Sequence, residues 1–111
     1  MHLRRHRREI TRAEVKTLTK TGTSAHDFLK LVSYHQAQAD RLVAESVAYA
    51  KAAAIYREHP AAKNLMAPNT AARFDQLAGS LRGEAKVELA RAASNMHMAN
   101  NAVQEQSVAG Q

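Results

Sequence analysis

The sequence predicts an all-α protein: a long antiparallel two-helix hairpin, coiled-coil-like with an alanine-rich seam, preceded by a short N-terminal helix. Apolar residues recur every seven positions over two long segments, and Pro60 and Pro68 bracket the connection between those segments. Composition also favours helix, because 45% of the 111 residues are hydrophobic but only 5% are aromatic. Alanine, the best helix former, supplies much of the apolar total and contributes little buried area, so we expect a thin core.

The chain divides into a basic arm, the hairpin and a tail. Residues 1–23 are the arm, with a short helix from about Thr11 to Lys20, and residues 109–111 are the tail. The hairpin, residues 24–108, consists of a helix over about 24–58, a turn over 59–69 and a helix over about 70–106. Thr11 and Ser24 each stand three residues before an acidic residue, which is the spacing of a helix-capping box and predicts two helix starts.

The seam of the hairpin is predicted by two stripes that run through the long helices. In the first helix a stripe of mostly large residues repeats every seven positions from Phe28 to Tyr56, and in the second an alanine stripe repeats from Ala71 to Ala99 without exception. A seven-residue repeat keeps one side of a helix against a partner over many turns. The large residues between the alanines are Phe74, Leu81, Leu89, Met96 and Val103, with one extra residue before Leu89.

The two stripes fit each other when the helices run in opposite directions. This alignment brings Tyr56 level with Phe74 and Tyr49 level with Leu81 near the turn. Further from the turn, the extra residue before Leu89 shifts the alignment by one position. It then brings Leu89 level with Leu42, Met96 level with His35, and Val103 level with Phe28. We therefore expect an antiparallel hairpin rather than two unrelated helices.

A second apolar strip on the first helix has no partner within the hairpin. Because a thin two-helix seam buries little apolar area, this strip needs a cover. The N-terminal helix is too short to cover all of it, so we expect a homodimer that forms a four-helix bundle. A subunit of a larger complex, in which a different protein covers the strip, is the alternative. The strip consists of Leu29, Val43, Val47, Ala50 and Ala54, with Ile55 further round.

The net charge of +6 is concentrated in the arm. Residues 1–20 contain seven Lys and Arg against two Glu, whereas the rest of the chain contains nine against eight acidic residues. Such an arm suits the phosphates of a nucleic acid or an acidic protein surface, although a solvated tail is an equally common explanation. The arm lacks Phe, Tyr and Trp, so it offers no base stacking. The predicted polyanion-binding residues are Arg4, Arg5, Arg7, Arg8 and Arg12.

A weaker pattern suggests a metal. The predicted alignment places His35 beside Met96, with His97 next along the chain, and thioether and imidazole donors suit copper. The commoner explanation is a buried histidine that fixes the register of the helices and a methionine that packs in the seam. The first explanation makes a copper-binding bundle that uses His35, Met96 and His97 our alternative to a purely structural helical module.

Other classes of function have no support in the sequence. There is no cysteine for disulfides or thiol chemistry, and no Gly-x-Ser-x-Gly string or glycine-rich phosphate loop. No apolar run approaches the roughly 20 residues that span a bilayer. We therefore expect a cytoplasmic, non-enzymatic helical module without a required cofactor, which oligomerises and contacts a nucleic acid or an acidic protein through its arm.

Overall fold

A computed structural model of the chain describes residues 10–58 and 70–109, with side chains up to Gln106. These ranges contain three helices and no strand: α1 (Arg12–Thr21), α2 (Ala25–Glu58) and α3 (Thr70–Ala109). The two long helices pack against each other, which confirms the prediction of an all-α chain built on two long helices. The predicted turn, residues 59–69, lies outside the described residues.

Both predicted capping boxes are present at the helix starts. At α1, the Glu14 amide donates to Thr11 Oγ1 at 3.1 Å and the Thr11 amide donates to Glu14 Oε1 at 2.8 Å. At α2, the Asp27 amide donates to Ser24 Oγ at 3.0 Å, and the amides of Ser24 and Thr23 donate to the Asp27 carboxylate at 3.4 and 3.3 Å. These backbone donors, Ser24 first, hold the pKa of Asp27 below its ordinary value of 3.8.

Gly22 makes the connection from α1 to α2 possible. Its amide donates to the Leu18 carbonyl oxygen at 2.8 Å, and a Cβ atom at position 22 would lie only 2.6 Å from that oxygen. Because such a contact is too short for any side chain, a residue without a Cβ is required here. A shallow hollow marks where α1 meets α2, and it is lined by Ala13, Glu14, Thr17, Leu18 and Lys30.

The described residues form two compact units, and the first is Ala37–Leu89. Small side chains fill its seam, and the five buried ones are each at most 3% exposed. Phe74 of α3 lies between two tyrosines of α2, with ring centroids 5.4 Å from Tyr56 and 5.7 Å from Tyr49. The predicted contact of Tyr56 with Phe74 is confirmed, and Phe74 also contacts Tyr49. The predicted pairing of Tyr49 with Leu81 stays a prediction. The buried seam residues are Ala39, Ser46, Ala53, Ala78 and Ala85.

The second unit consists of the described residues up to Gln36 and from Ala90 onward. Here α3 buries Ala92 and Ala99, so the alanine stripe stays buried at a strict seven-residue spacing in this unit also. Opposite them, α2 buries Val32 and His35. Leu31 is also buried, although it belongs to neither predicted stripe of α2. It directly follows Lys30, which lines the hollow beside α1.

The structure corrects the predicted seam in the second half of α3. Leu89, Met96 and Val103 are 49%, 39% and 53% exposed, so their assignment to the seam is wrong. The extra residue before Leu89 turns these side chains about 100° round the helix, while the alanines keep their repeat. The half-buried residues that continue the seven-residue spacing of Phe74 and Leu81 are Glu88, Asn95 and Ala102.

Candidate functional site

A row of exposed basic residues lies along α1. Arg12, Lys16 and Lys20 are spaced four apart, which places them on one side of the helix, and all three are exposed. Glu14 lies on a different side, where its carboxylate accepts the Thr11 amide of the capping box. Within α1, the row therefore has no acidic neighbour at the same helical spacing.

Only one of the five predicted polyanion-binding arginines falls within the described residues. Arg12 is exposed in the first turn of α1 and begins the basic row. Lys16 and Lys20 were missed as members of this site, although their four-residue spacing from Arg12 is visible in the sequence. The other four predicted residues, Arg4, Arg5, Arg7 and Arg8, lie outside the described part of the chain.

A second exposed feature is the side of α2 that includes most of the predicted apolar strip. Within the unit Ala37–Leu89, Val43 and Val47 are 44% and 47% exposed, Ala54 is exposed and Ala50 is half-buried. These four residues follow alternating spacings of four and three, which is the pattern of a coiled-coil contact. We call the set Asp40, Val43, Val47, Ala50, Ala54 and Arg57 the outer stripe of α2; the whole set keeps this spacing.

The outer stripe is distinct from the seam of its own unit. The stripe is centred about 100° round α2 from the seam residues Ala39, Ser46 and Ala53. Helices of a four-helix bundle present two sides of this kind to two different neighbours. The four apolar residues of the outer stripe therefore lie on a side of α2 that the seam with α3 does not use.

Arg57, at one end of the outer stripe, forms an ion pair with Asp75 of α3. Both side chains are about half exposed, at 55% and 47%. The pair links the first turns of α3 to the last turn of α2 beside the ring contact of Tyr56 with Phe74. This ion pair was not predicted, although Arg57 directly follows Tyr56 and Asp75 directly follows Phe74, two residues predicted to be level.

The three predicted metal ligands lie in different surroundings. His35 is buried, at 7% exposed, and its ring meets the edge of the Tyr34 ring at a centroid distance of 5.2 Å. Met96 and His97 are exposed and lie outside the buried stripe of α3. Across residues 10–58 and 70–109, no three His, Asp or Glu side chains converge as metal ligands would. The copper hypothesis stays a prediction.

Comparison with known proteins yields no significant match to a protein family, a curated protein or a solved structure. Among the helices of the described residues, none combines the length and the apolar character that a membrane span requires. Three features of the described residues are left as a basis for a functional proposal: the packed pair of long helices, the basic row on α1 and the outer stripe of α2.

Proposed function

We propose that this chain is a non-enzymatic helical assembly module, which associates through exposed apolar helix surfaces and binds nucleic acid through its basic arm. The distribution of large aliphatic side chains carries the first half of the proposal. In the described residues the buried core contains two of them, Leu31 and Val32, whereas ten are at least 39% exposed. The ten are Leu29, Val43, Val47, Ile55, Leu77, Val87, Leu89, Met96, Met98 and Val103.

This distribution favours association because the exposure of aliphatic surface to water is thermodynamically unfavourable. Burial of apolar surface contributes about 25 cal/mol per Å². Most of the buried seam is alanine, which supplies little of that stabilisation. A second layer of helices, from another copy of the chain, would supply the rest.

The basic row on α1 supports the second half. Arg12, Lys16 and Lys20 are exposed on one side, and the same four-residue spacing continues in the sequence through Arg8 and Arg4. A line of cations without aromatic residues suits the phosphates of a nucleic acid and gives binding that depends on salt rather than on base sequence.

Fluorescence anisotropy with labelled duplex DNA and single-stranded RNA tests the arm. We expect a variant with Arg12, Lys16 and Lys20 changed to Gln to bind at least about tenfold more weakly, with the salt slope of duplex binding reduced by about 0.9 for each phosphate that the variant no longer neutralises. Substitution is preferable to removal of residues 1–20, because removal would also delete most of α1.

The matched control changes the same number of charges on α3. Arg73, Arg82 and Lys86 are exposed, and their change to Gln should leave nucleic-acid binding within about twofold of the parent value if the row on α1 binds. Equal losses in the two variants would contradict the proposal, because they would show a response to net charge alone. Tighter binding of polyglutamate than of either nucleic acid would instead identify an acidic protein as the partner.

A further inference from the structure

The outer stripe of α2 is complementary to itself when two copies run in opposite directions. Its ends carry opposite charges, Asp40 near the middle of α2 and Arg57 in its last turn, with two valines and two alanines between them. We propose that α2 pairs antiparallel with α2 of a second copy of the chain through this stripe. The proposal deepens the assembly half of the proposed function and rests on it for self-association.

The spacing of the stripe determines the register. When Val47 lies opposite Ala50 of the second copy, Val43 lies opposite Ala54 of the second copy, and the two remaining positions also coincide. Each apolar contact then joins a large side chain to a small one, which is how helices interlock at close distance. A shift by one residue would turn the valines away from the contact.

The charges select the antiparallel direction. In this register Asp40 of each copy lies opposite Arg57 of the other, which gives two ion pairs related by the two-fold axis. A parallel pair would instead place Asp40 against Asp40 and Arg57 against Arg57, and like charges at such positions are destabilising. Arg57 also pairs with Asp75 of its own chain, and a guanidinium group has five N–H donors with which to serve two carboxylates.

Engineered cysteines test this register directly, because the chain contains no cysteine of its own. Val43→Cys and Ala54→Cys are made as separate proteins, mixed to allow exchange, and oxidised with glutathione disulfide. The two cysteines would be adjacent in the antiparallel pair, whereas two copies of Cys at position 43 would be about 16 Å apart along the axis, beyond the reach of a disulfide. We expect the mixed disulfide and little of either homodisulfide by intact mass.

The matched control moves the second cysteine one residue along the chain. Ile55 is 52% exposed but lies outside the stripe, so Ile55→Cys mixed with Val43→Cys should give at least about tenfold less disulfide than Ala54→Cys. Equal yields would show random collision and overturn the inference.

Solution mass, measured on the unmodified chain by sedimentation, separates the other failures. A dimer that forms the Val43→Cys homodisulfide would be parallel, and a dimer that forms neither disulfide would use another surface; both overturn this inference and leave the assembly proposal standing. A monomer at high protein concentration would overturn both, while the nucleic-acid experiment still judges the arm.

Discussion

Alanine has two different roles in this chain, and they depend on the side of the helix on which each residue lies. Ala78 and Ala85 of α3 are almost fully buried against α2, whereas Ala90 and Ala93 of the same helix are exposed. A methyl group in the seam allows two helix backbones to approach toward the lower end of the usual separation of about 8–10 Å. The buried alanines therefore set a distance that a larger side chain would not allow.

Substitution of a seam alanine should show that this distance matters. Ala85 is 3% exposed, so we expect Ala85→Leu to lower the free energy of unfolding by about 1–3 kcal/mol, because the added atoms force the helices apart. Urea denaturation followed by circular dichroism measures the change. Ala90→Leu is the control, since an exposed substitution should change stability by no more than about 0.5 kcal/mol. Equal effects at the two positions would argue against a tight seam.

The polar residues of the seam show what can be predicted from single residues. His35 was predicted to face the seam, and its burial confirms that prediction. Ser46 tolerates burial because its hydroxyl donates to the Val43 carbonyl oxygen of its own helix at 2.7 Å, a local bond open to any helical serine. The burial of Leu31 could not be predicted from the seven-residue repeats, because Leu31 belongs to neither predicted stripe of α2.

At the scale of helices, the sequence predicted the strict repeat of alanines but misassigned the large residues that follow Leu81. Leu89, Met96 and Val103 keep their own seven-residue spacing, so the pattern alone does not distinguish a seam from a second stripe one residue away. The buried alanines decide the matter, because a shift by one residue would turn them out of the seam. The basic row, in contrast, is visible in the sequence, because Arg12, Lys16 and Lys20 follow a four-residue spacing.

The capping box of α2 makes a prediction about acid. The pKa of Asp27 is lowered by the backbone donors of Ser24 and Thr23, so the folded chain holds the ionised carboxylate more firmly than the unfolded chain does. Its contribution to stability is therefore present above pH 3.8 and is lost as the pH falls through the lower folded pKa. Carbon-detected NMR titration should give an Asp27 pKa below 3.8.

Asp27→Asn supplies the control for that titration. The amide of Asn cannot titrate, so the variant should lack the part of the acid-dependent loss of stability that comes from position 27. A folded pKa of Asp27 at or above its ordinary value, or an unchanged pH dependence of stability in the variant, would contradict the capping role.

At the scale of the whole molecule, charge is segregated along the chain. The first 20 residues carry most of the positive excess, and the remainder is close to balanced. In the balanced part, the placement of single charges matters more than their sum. Asp40 and Arg57, for example, lie at opposite ends of the outer stripe. Assembly and polyanion binding would then use different residues, so each should be separable by mutation.

Complementary charge reversals should convert self-association into pairing of two different chains. In a homodimer of Asp40→Arg, the new arginines would face Arg57, and in a homodimer of Arg57→Asp, the new aspartates would face Asp40.

We expect each variant alone to dimerise about 5–30-fold more weakly, which corresponds to a loss of about 1–2 kcal/mol from two pairs at an exposed helix surface. An equal mixture should recover the parent affinity in sedimentation, because every facing pair between the two copies is again of opposite sign. Asp75→Asn, which removes only the intrachain partner of Arg57, should leave association unchanged. A mixture that associates no better than its components would show that Asp40 and Arg57 do not face each other between copies.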